Sequence, residues 1–234
     1  MLKRFFVLFI SLTLCVGAVW AGDVEDGDAA FENQDYVTAL KKYRSAASLK
    51  DIHAQTQVGN IYNRGFGVKQ DYAEAVRWYK LAAEQGDATA QWKLGLMYRQ
   101  AQGVVQDYAE AVRWIKLAAE QGDASGQYYL ALLFSNGEGV EQNYPEAVRL
   151  YKLAAAQGIT LAKWYLGDIY GEGRGVKQDY LRAHMWFNLA SVSGFDIIAT
   201  QRRDRLEKKM NSQQIAEAQK LARECQARNF KNCD

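Results

Sequence analysis

The sequence predicts an all-α protein built from repeated helix–turn–helix units, and two observations support this prediction. The 234 residues include a single proline, Pro145, and long proline-free stretches favour helices because proline disrupts a helix interior. The chain also repeats itself every 36 residues, with no insertion between copies. The repeat is visible in the tyrosines Tyr36, Tyr72, Tyr108, Tyr144 and Tyr180 and in the alanines Ala39, Ala75, Ala111, Ala147 and Ala183. Parallel columns with this period indicate a solenoid of five units.

Local signals predict two helices and a loop in each unit. One helix covers 71–86, where Asp71 and Glu74 have the spacing of a capping box. Gly86 is expected to end that helix in the left-handed conformation. The next helix covers about 88–100, because its apolar residues recur at spacings of three and four.

A glycine loop follows this second helix in each of four copies. The copies read Gly65-Phe66-Gly67, Ala101-Gln102-Gly103, Gly137-Glu138-Gly139 and Gly173-Arg174-Gly175. Because the last position is glycine in every copy, we expect it to require positive φ. The first position is alanine in one copy, so we expect it merely to tolerate glycine. These loops are not phosphate-binding loops, since no Lys-Ser or Lys-Thr follows them.

The columns resemble the Sel1-like repeat family, which is related to the tetratricopeptide repeat. In one copy the matching residues are Leu94-Gly95, Tyr98, Gly103-Val104, Asp107-Tyr108, Ala111, Trp114, Leu117-Ala118-Ala119 and Gly122. The likeness covers roughly residues 28–195 and implies a right-handed α-solenoid that binds other proteins. The first copy departs from the pattern at Lys42, Ser45 and Lys50, so we expect it to be an N-terminal capping repeat.

The N-terminus has the features of a signal peptide. Lys3 and Arg4 precede an apolar run over 5–19, and small residues before Gly22 suit cleavage there. The run is short for a membrane span, which needs about 20 apolar residues. We therefore predict a signal peptide over 1–21 and an exported protein, either periplasmic or secreted. An uncleaved anchor stays open, whereas a lipoprotein at Cys15 is disfavoured because a leucine precedes the cysteine.

The remaining chain divides into a repeat solenoid over 22–195 and a helical C-terminal cap over 196–234. In the cap, Asn211 and Gln214 open a helix that is expected to end near Arg228. Cys225 and Cys233 are the cysteines left after signal removal. An even pair in an oxidising compartment predicts a disulfide between them.

The charge balance argues against nucleic acid as a partner. The formal charge is +2, and without Lys3 and Arg4 the basic and acidic residues are equal in number. Nucleic-acid binding instead favours clustered lysine and arginine.

The residues of catalytic and metal sites are sparse. His53 and His184 fall in different repeats, and no Gly-x-Ser-x-Gly, His-Glu-x-x-His or Cys-x-x-Cys motif occurs. His184 stands in an otherwise apolar column, which predicts a packing role. Some exported Sel1-like proteins have two cysteines in each repeat and are associated with weak β-lactamase activity. The repeats of this chain contain no cysteine, so that activity is not carried over.

The resemblance also indicates which residues would bind a partner. In the tetratricopeptide arrangement, the helix with the Leu-Gly-x-x-Tyr motif lines a concave groove. The candidates on this helix are Trp92, Leu96, Arg99, Tyr128, Leu132, Trp164 and Asp168. Trp92, Tyr128 and Trp164 form an aromatic column suited to anchoring a peptide or helix. Periodic aromatics are also common in cores, so a packing role for this column stays open.

These observations predict an exported scaffold that binds one or more proteins or peptides through its concave surface. We expect no catalysis, no cofactor and no metal. Two alternatives stay open. One is weak hydrolysis of cell-wall or β-lactam substrates. The other is attachment to an anionic envelope surface through the tail, 201–234, which has nine basic and five acidic residues.

Overall fold

The computed structural model describes residues 22–192, 196–228, 230 and 233, and every regular element among them is a helix. The predicted signal peptide, 1–21, lies outside the described residues. Helix α1 covers 22–32. The others are α2 Tyr36–Ser48, α3 Ile52–Arg64, α4 Tyr72–Glu84, α5 Ala88–Gln100, α6 Tyr108–Glu120, α7 Ala124–Asn136, α8 Tyr144–Ala156, α9 Thr160–Glu172, α10 Tyr180–Ser191, α11 Asp196–Glu207 and α12 Ser212–Ala227. None of these described helices is long and apolar enough to cross a bilayer.

The helices form two compact units, which divide between Asp107 and Tyr108. In the first unit, α2 packs against α3, α3 against α4, and α4 against α5. In the second unit, successive helices from α6 to α10 pack in the same way, and both α11 and α12 pack against α10. Packing between nearest neighbours along the chain is the arrangement of an α-solenoid, which confirms the predicted fold class.

The predicted capping box at Asp71 and Glu74 is only half formed. The Asp71 carboxylate accepts a hydrogen bond from the Glu74 backbone N–H at 3.0 Å. The Asp71 N–H, however, donates to the carbonyl of Tyr62, also at 3.0 Å. Because that donor is already used, the Glu74 carboxylate lies instead against Arg77. Both halves of a capping box are present at Asn211, which begins α12 as predicted.

The glycine loops also differ from expectation, because both of their marked positions have positive φ. Gly65 has φ 70°, and Ala101, at the same place in the next repeat, has φ 56°. The expectation that this position merely tolerates glycine is therefore wrong. A left-handed residue with a Cβ atom costs roughly 1–2 kcal/mol, so Ala101 is held there by the rest of the loop.

The second glycine of the loop has less room for a Cβ atom than the first. A Cβ atom on Gly103 would lie 2.4 Å from the backbone carbonyl oxygen of Tyr72. On Gly65 the nearest atom to such a Cβ would be the backbone nitrogen of Gln70, at 3.1 Å. The second glycine thus meets two requirements, a positive φ and close contact with the first turn of α4.

Alanines and aromatic rings fill the interfaces between helices. The alanines Ala39, Ala75, Ala111, Ala147 and Ala183 are fully buried. A Cβ atom on Gly59 would lie 2.6 Å from the ring of Tyr79, and one on Gly167 would lie 2.8 Å from the ring of Phe187. Small residues on one helix therefore make room for an aromatic side chain of the next.

Helix α11 and the chain end cover the last repeat. His184 is fully buried, in keeping with the packing role predicted for it, and its Nε2 atom lies 2.9 Å from Oε1 of Glu207 in α11. A disulfide joins the Sγ atom of Cys225, in the last turn of α12, to that of Cys233 after the helix. Both cysteines are buried, so the disulfide fixes the chain end against α12.

Lys163 marks the point where the repeat pattern changes. The same position holds Gln55, Gln91 and Gln127 in the other repeats. Gln55 donates to the carbonyl of Ala47 and accepts from Gln85, at 3.3 Å and 2.7 Å. The Lys163 side chain is buried like those glutamines, but its Nζ atom lies 4.1 Å from the ring centroid of Phe230. The ring of Phe230 near the chain end therefore contacts the side chain at the position where the other repeats have a glutamine.

Replacing Gly103 by alanine is expected to destabilise the protein by about 2–4 kcal/mol, because steric overlap adds to the left-handed penalty. The matched control, Ala101→Gly, is expected to stabilise by up to about 1 kcal/mol, because it removes that penalty alone. Urea unfolding followed by circular dichroism measures both. An unchanged midpoint for Gly103→Ala would contradict the close contact with Tyr72.

Candidate functional site

In the second unit, part of the predicted groove is core. Tyr128 is only 8% exposed, and its ring centroid lies 4.9 Å from that of Tyr129, 6.0 Å from that of Tyr151 and 6.1 Å from that of Tyr165. Leu132, one turn further along α7, is also buried. These two residues therefore offer little surface to a partner, and the ring contacts of Tyr128 favour the packing role for it.

At the end of the second unit, α11 covers two more of the predicted groove residues. Trp164 is partly exposed, and the guanidinium of Arg202 lies 5.8 Å from its ring centroid. Asp168 is buried and pairs with Arg174, while Arg202 lies 3.7 Å away. Burial raises the pKa of Asp168, and the Arg174 guanidinium acts in the opposite direction. Asp168 is thus a buried ion-pair partner in the wall of a small cavity, about 150 Å³, that α11 also lines.

In the first unit, the three remaining candidates lie partly exposed on α5. They are Trp92, Leu96 and Arg99. Residues three and four apart share one side of a helix, so Leu96 lies one turn from Trp92, and Arg99 lies one turn beyond Leu96. This side of α5 therefore keeps three neighbouring groove candidates partly exposed.

Lys93, beside Trp92, is a functional candidate that the sequence reasoning missed. Its Nζ atom donates a hydrogen bond to Oδ1 of Asn60 in α3. The same atom lies 5.2 Å from the ring centroid of Trp92 and 5.7 Å from that of Tyr79 in α4. The Tyr79 hydroxyl donates to the same Asn60 oxygen at 2.8 Å. Side chains from three helices therefore meet at one ammonium group.

The electrostatics of Lys93 are unusual for a lysine. Burial lowers its pKa to about 8, and the positive charge of Arg64 acts in the same direction, while Asp87 opposes them. Burial also raises the pKa of Tyr79 above its ordinary range. We call Asn60, Arg64, Tyr79, Trp92 and Lys93 the Lys93 cluster. Strongly shifted groups in accessible places are candidates for functional sites.

A signal for the Lys93 cluster is present in the sequence. The column at this position reads Gln57, Lys93, Tyr129 and Tyr165, so the lysine belongs to one repeat only. Helix α5 contains no acidic residue that could neutralise it. Lys93 thus has no acidic partner on its own helix, and the other residues of its column are uncharged. These two features distinguish it from the exposed lysines.

Metal-binding groups do not assemble in the part of the chain that the structure describes. No three His, Cys, Asp or Glu side chains come together there. His53 pairs with Asp28 at 3.0 Å, and His184 pairs with Glu207. The Lys93 cluster instead presents a partly buried ammonium group whose hydrogen-bond acceptor is a neutral amide, an arrangement that suits an anionic group.

The burial difference between Tyr128 and Trp92 predicts different costs of truncation. Tyr128→Ser should destabilise the protein by about 3 kcal/mol or more, as for other buried aromatics. Trp92→Ser should cost about 1 kcal/mol or less, because its side chain is partly exposed. Urea unfolding of the two variants checks this. A Trp92→Ser loss as large as that of Tyr128→Ser would place Trp92 in the core.

Comparisons with known proteins agree with the repeat pattern. The model of the Sel1 repeat matches residues 52–87, 88–123, 124–159 and 160–194, which is more than half of the chain. The matches begin at α3, so α2, which holds the atypical Lys42 and Ser45 of the first copy, lies outside them. Residues 33–35 alone join α1 to α2, without a glycine loop. A search of curated proteins gives no match.

Solved structures include several similar chains. A Sel1 repeat protein from Oxalobacter formigenes is 32% identical over 72% of this chain, with a TM-score of 0.67. This chain spans 66% of the length of that protein. A Sel1 repeat protein from Klebsiella pneumoniae is 20% identical over 80% of this chain and 93% of its own length, with a TM-score of 0.55. An immunity protein from Pseudomonas aeruginosa, 16% identical over 89% of this chain and 83% of its own, has a TM-score of 0.51.

The last two likenesses concern the fold alone, whereas the four matched repeats establish the family. Proteins built from these repeats are typically scaffolds for protein–protein interaction and are generally not catalytic. The chain therefore belongs to the Sel1 repeat family.

Proposed function

We propose that this protein is an exported scaffold that binds a protein partner through the face of α3 and α5. The observation that carries the proposal is the partly exposed Trp92 and Leu96 beside the half-buried charge of Lys93. Aromatic anchors next to polar groups are typical of the residues that dominate binding energy at interfaces. Repeat proteins commonly bind through extended faces of this kind.

The proposed surface is narrower than the groove that the sequence predicts. Tyr128, Leu132 and Asp168 are buried, and Arg202 lies over Trp164. We therefore centre the proposed surface on α5 and its neighbour α3, where Trp92, Leu96 and Arg99 are all partly exposed. Specificity would then come from side chains that occur in one repeat only, since the repeated residues are used in packing.

Two observations support export. The first is the signal-peptide pattern of residues 1–21. The second is the disulfide between Cys225 and Cys233, because disulfides persist mainly in oxidising compartments.

Attachment through the basic tail receives less support, because many of its cations have acidic neighbours. Arg203 lies 2.9 Å from Asp204. Lys220 and Arg228 lie 3.7 Å and 3.3 Å from Glu224. These pairs reduce the charge available to an anionic surface. Removing the tail would also uncover α10, so its deletion would be a poor test of attachment.

Capture of partners from the native envelope fraction tests the proposed surface. Cross-linking with the mature wild-type protein is expected to yield a partner that the double variant Trp92→Ser, Leu96→Ser loses. The control variant is Leu153→Ser on α8, a leucine that is 41% exposed. It should keep the partner. Equal capture by all three proteins would contradict binding at α5, and circular dichroism confirms that each variant is folded.

Intact mass spectrometry of the protein isolated from its native host tests export and the disulfide together. The expected mass is that of residues 22–234, two hydrogens lighter than the reduced chain, with no thiol reactive before reduction. A chain that retains residues 1–21 would contradict signal cleavage. Two reactive thiols in the untreated protein would contradict the disulfide. Cys225→Ser should lower stability by about 2.5 kcal/mol, the value expected for a loop of this length.

A further inference from the structure

We propose that the Lys93 cluster binds a carboxylate of the protein partner, on an acidic peptide segment that lies across α3 and α5. An apolar side chain of the same segment would pack against Trp92 and Leu96. This inference rests on the proposed function and specifies the chemistry of the partner. It follows from the charges of the cluster, its hydrogen bonds and its position beside the partly exposed ring of Trp92.

Lys93 has no counter-charge in contact with it within the part of the chain that the structure describes. Among residues 22–192 and 196–228, no carboxylate forms an ion pair with its ammonium group, whose hydrogen-bond acceptor is the neutral amide oxygen of Asn60. The nearby carboxylate of Asp87 is engaged as a helix cap. It accepts from the Ala90 N–H at 2.6 Å and from the Thr56 hydroxyl at 3.1 Å. An ammonium group has three donors, so Lys93 can accommodate a further acceptor.

Lys42, in the same unit, provides an internal comparison. Its ammonium group lies 2.8 Å from Asp26 and 2.9 Å from Asp23. Hydrogen bonds to these two carboxylates raise the pKa of Lys42 to about 12. The chain therefore neutralises one lysine of this unit completely, whereas Lys93, which is more deeply buried, keeps a neutral acceptor.

A second cation strengthens the preference for an anion. Arg64 lies one helical turn beyond Asn60 on α3, is exposed, and has its guanidinium 5.8 Å from the ring centroid of Phe66. The positive charge of Arg64 disfavours the protonated form of Lys93. A carboxylate bound near both groups would relieve this repulsion, and hydrogen bonds between charged groups are roughly twice as strong as neutral ones.

The surroundings favour a peptide carboxylate over a free anion. Trp92 and Leu96 are partly exposed on the same side of α5 as the ammonium group. A small anion would leave both of them in water. A peptide with an acidic and an apolar residue close together would satisfy the charge and cover the apolar surface in one contact.

The pH dependence of binding follows from the groups that face Lys93. These are Asn60 and Arg64 of α3, Tyr79 of α4 and Asp87 before α5. The lowered pKa of Lys93, about 8, means that the free ammonium loses its proton as pH rises through 8. A bound carboxylate favours the protonated form, so affinity should be constant near pH 6 and decline above pH 8. Tyr79 stays neutral over this range because burial raises its pKa.

A peptide array tests the preference for acidic segments. The array holds blocked dodecapeptides with glutamate beside leucine or phenylalanine, each paired with a peptide in which glutamine replaces glutamate. We expect the wild-type protein to bind acidic members at least about tenfold more tightly than their partners. Lys93→Met should remove this preference. The control Lys80→Met changes an exposed lysine that lies 4.0 Å from Glu84, and it should retain the preference.

A direct titration of the lysine avoids dependence on peptide sequence. The ¹³Cε resonance of Lys93 is followed against pH in sodium acetate and in sodium chloride of equal ionic strength. Acetate is expected to move the midpoint upward from about 8, while the midpoint of Lys80 stays the same in both salts. An unchanged Lys93 midpoint, together with equal binding of acidic and neutral peptides, would overturn the inference.

The two proposals can fail separately. If peptides bind in a Trp92-dependent way without regard to glutamate, the surface on α5 is correct and the carboxylate site is wrong. If acetate moves the Lys93 midpoint but the partner is captured equally by the Trp92→Ser, Leu96→Ser variant, the anion site is correct and its assignment to partner binding is wrong. Loss of acidic peptide binding in both Lys93→Met and the double variant supports both.

Discussion

The glycine loop after the second helix of a repeat passes so close to the start of the repeat's first helix that its second glycine has no room for a Cβ atom. In the first unit this contact joins Gly103 to the backbone of Tyr72, and in the second it joins Gly139 to the backbone of Tyr108. The residues after the glycine contact the second helix, α5, where the N–H of Asp107 bonds to the carbonyl of Tyr98. A loop with two fixed attachments cannot change length without breaking one of them. The loop length is therefore constrained, in keeping with a period of 36 residues in which α2 to α9 all have 13 residues.

Features set by short-range chemistry could be predicted from the sequence. The helix over Ala88–Gln100 has the predicted bounds, because Asp87 caps its start. Features that depend on a distant partner could not. The capping box at Asp71 is incomplete because its N–H bonds to Tyr62, nine residues earlier. The left-handed φ of Ala101 opposes its own preference, and the surrounding loop imposes it.

In the candidate site, residues at the same position of successive repeats differ in their surroundings, which the 36-residue period does not predict. Trp92, Tyr128 and Trp164 occupy the same place in three repeats, yet their neighbours give them different environments. Tyr151 and Tyr165 enclose Tyr128. The period predicts which side of a helix a residue occupies, whereas its exposure depends on the size of side chains from adjacent helices. For the same reason, the sequence marks Lys93 as an unusual residue in its column, but it does not show that side chains of α3 and α4 surround the ammonium group.

The contact between Lys163 and Phe230 has a consequence for how such an array can grow. Glutamines at this position connect a repeat to the turn of the next one, as Gln55 does with Gln85. At Lys163 the aromatic ring of the chain end occupies that side instead, held by the disulfide loop that follows α12. Duplication of a whole 36-residue unit before α9 would leave this terminus intact. A unit added after α10 would have to displace α11, α12 and the Phe230 contact together, so lengthening by recombination is confined to the interior of the array.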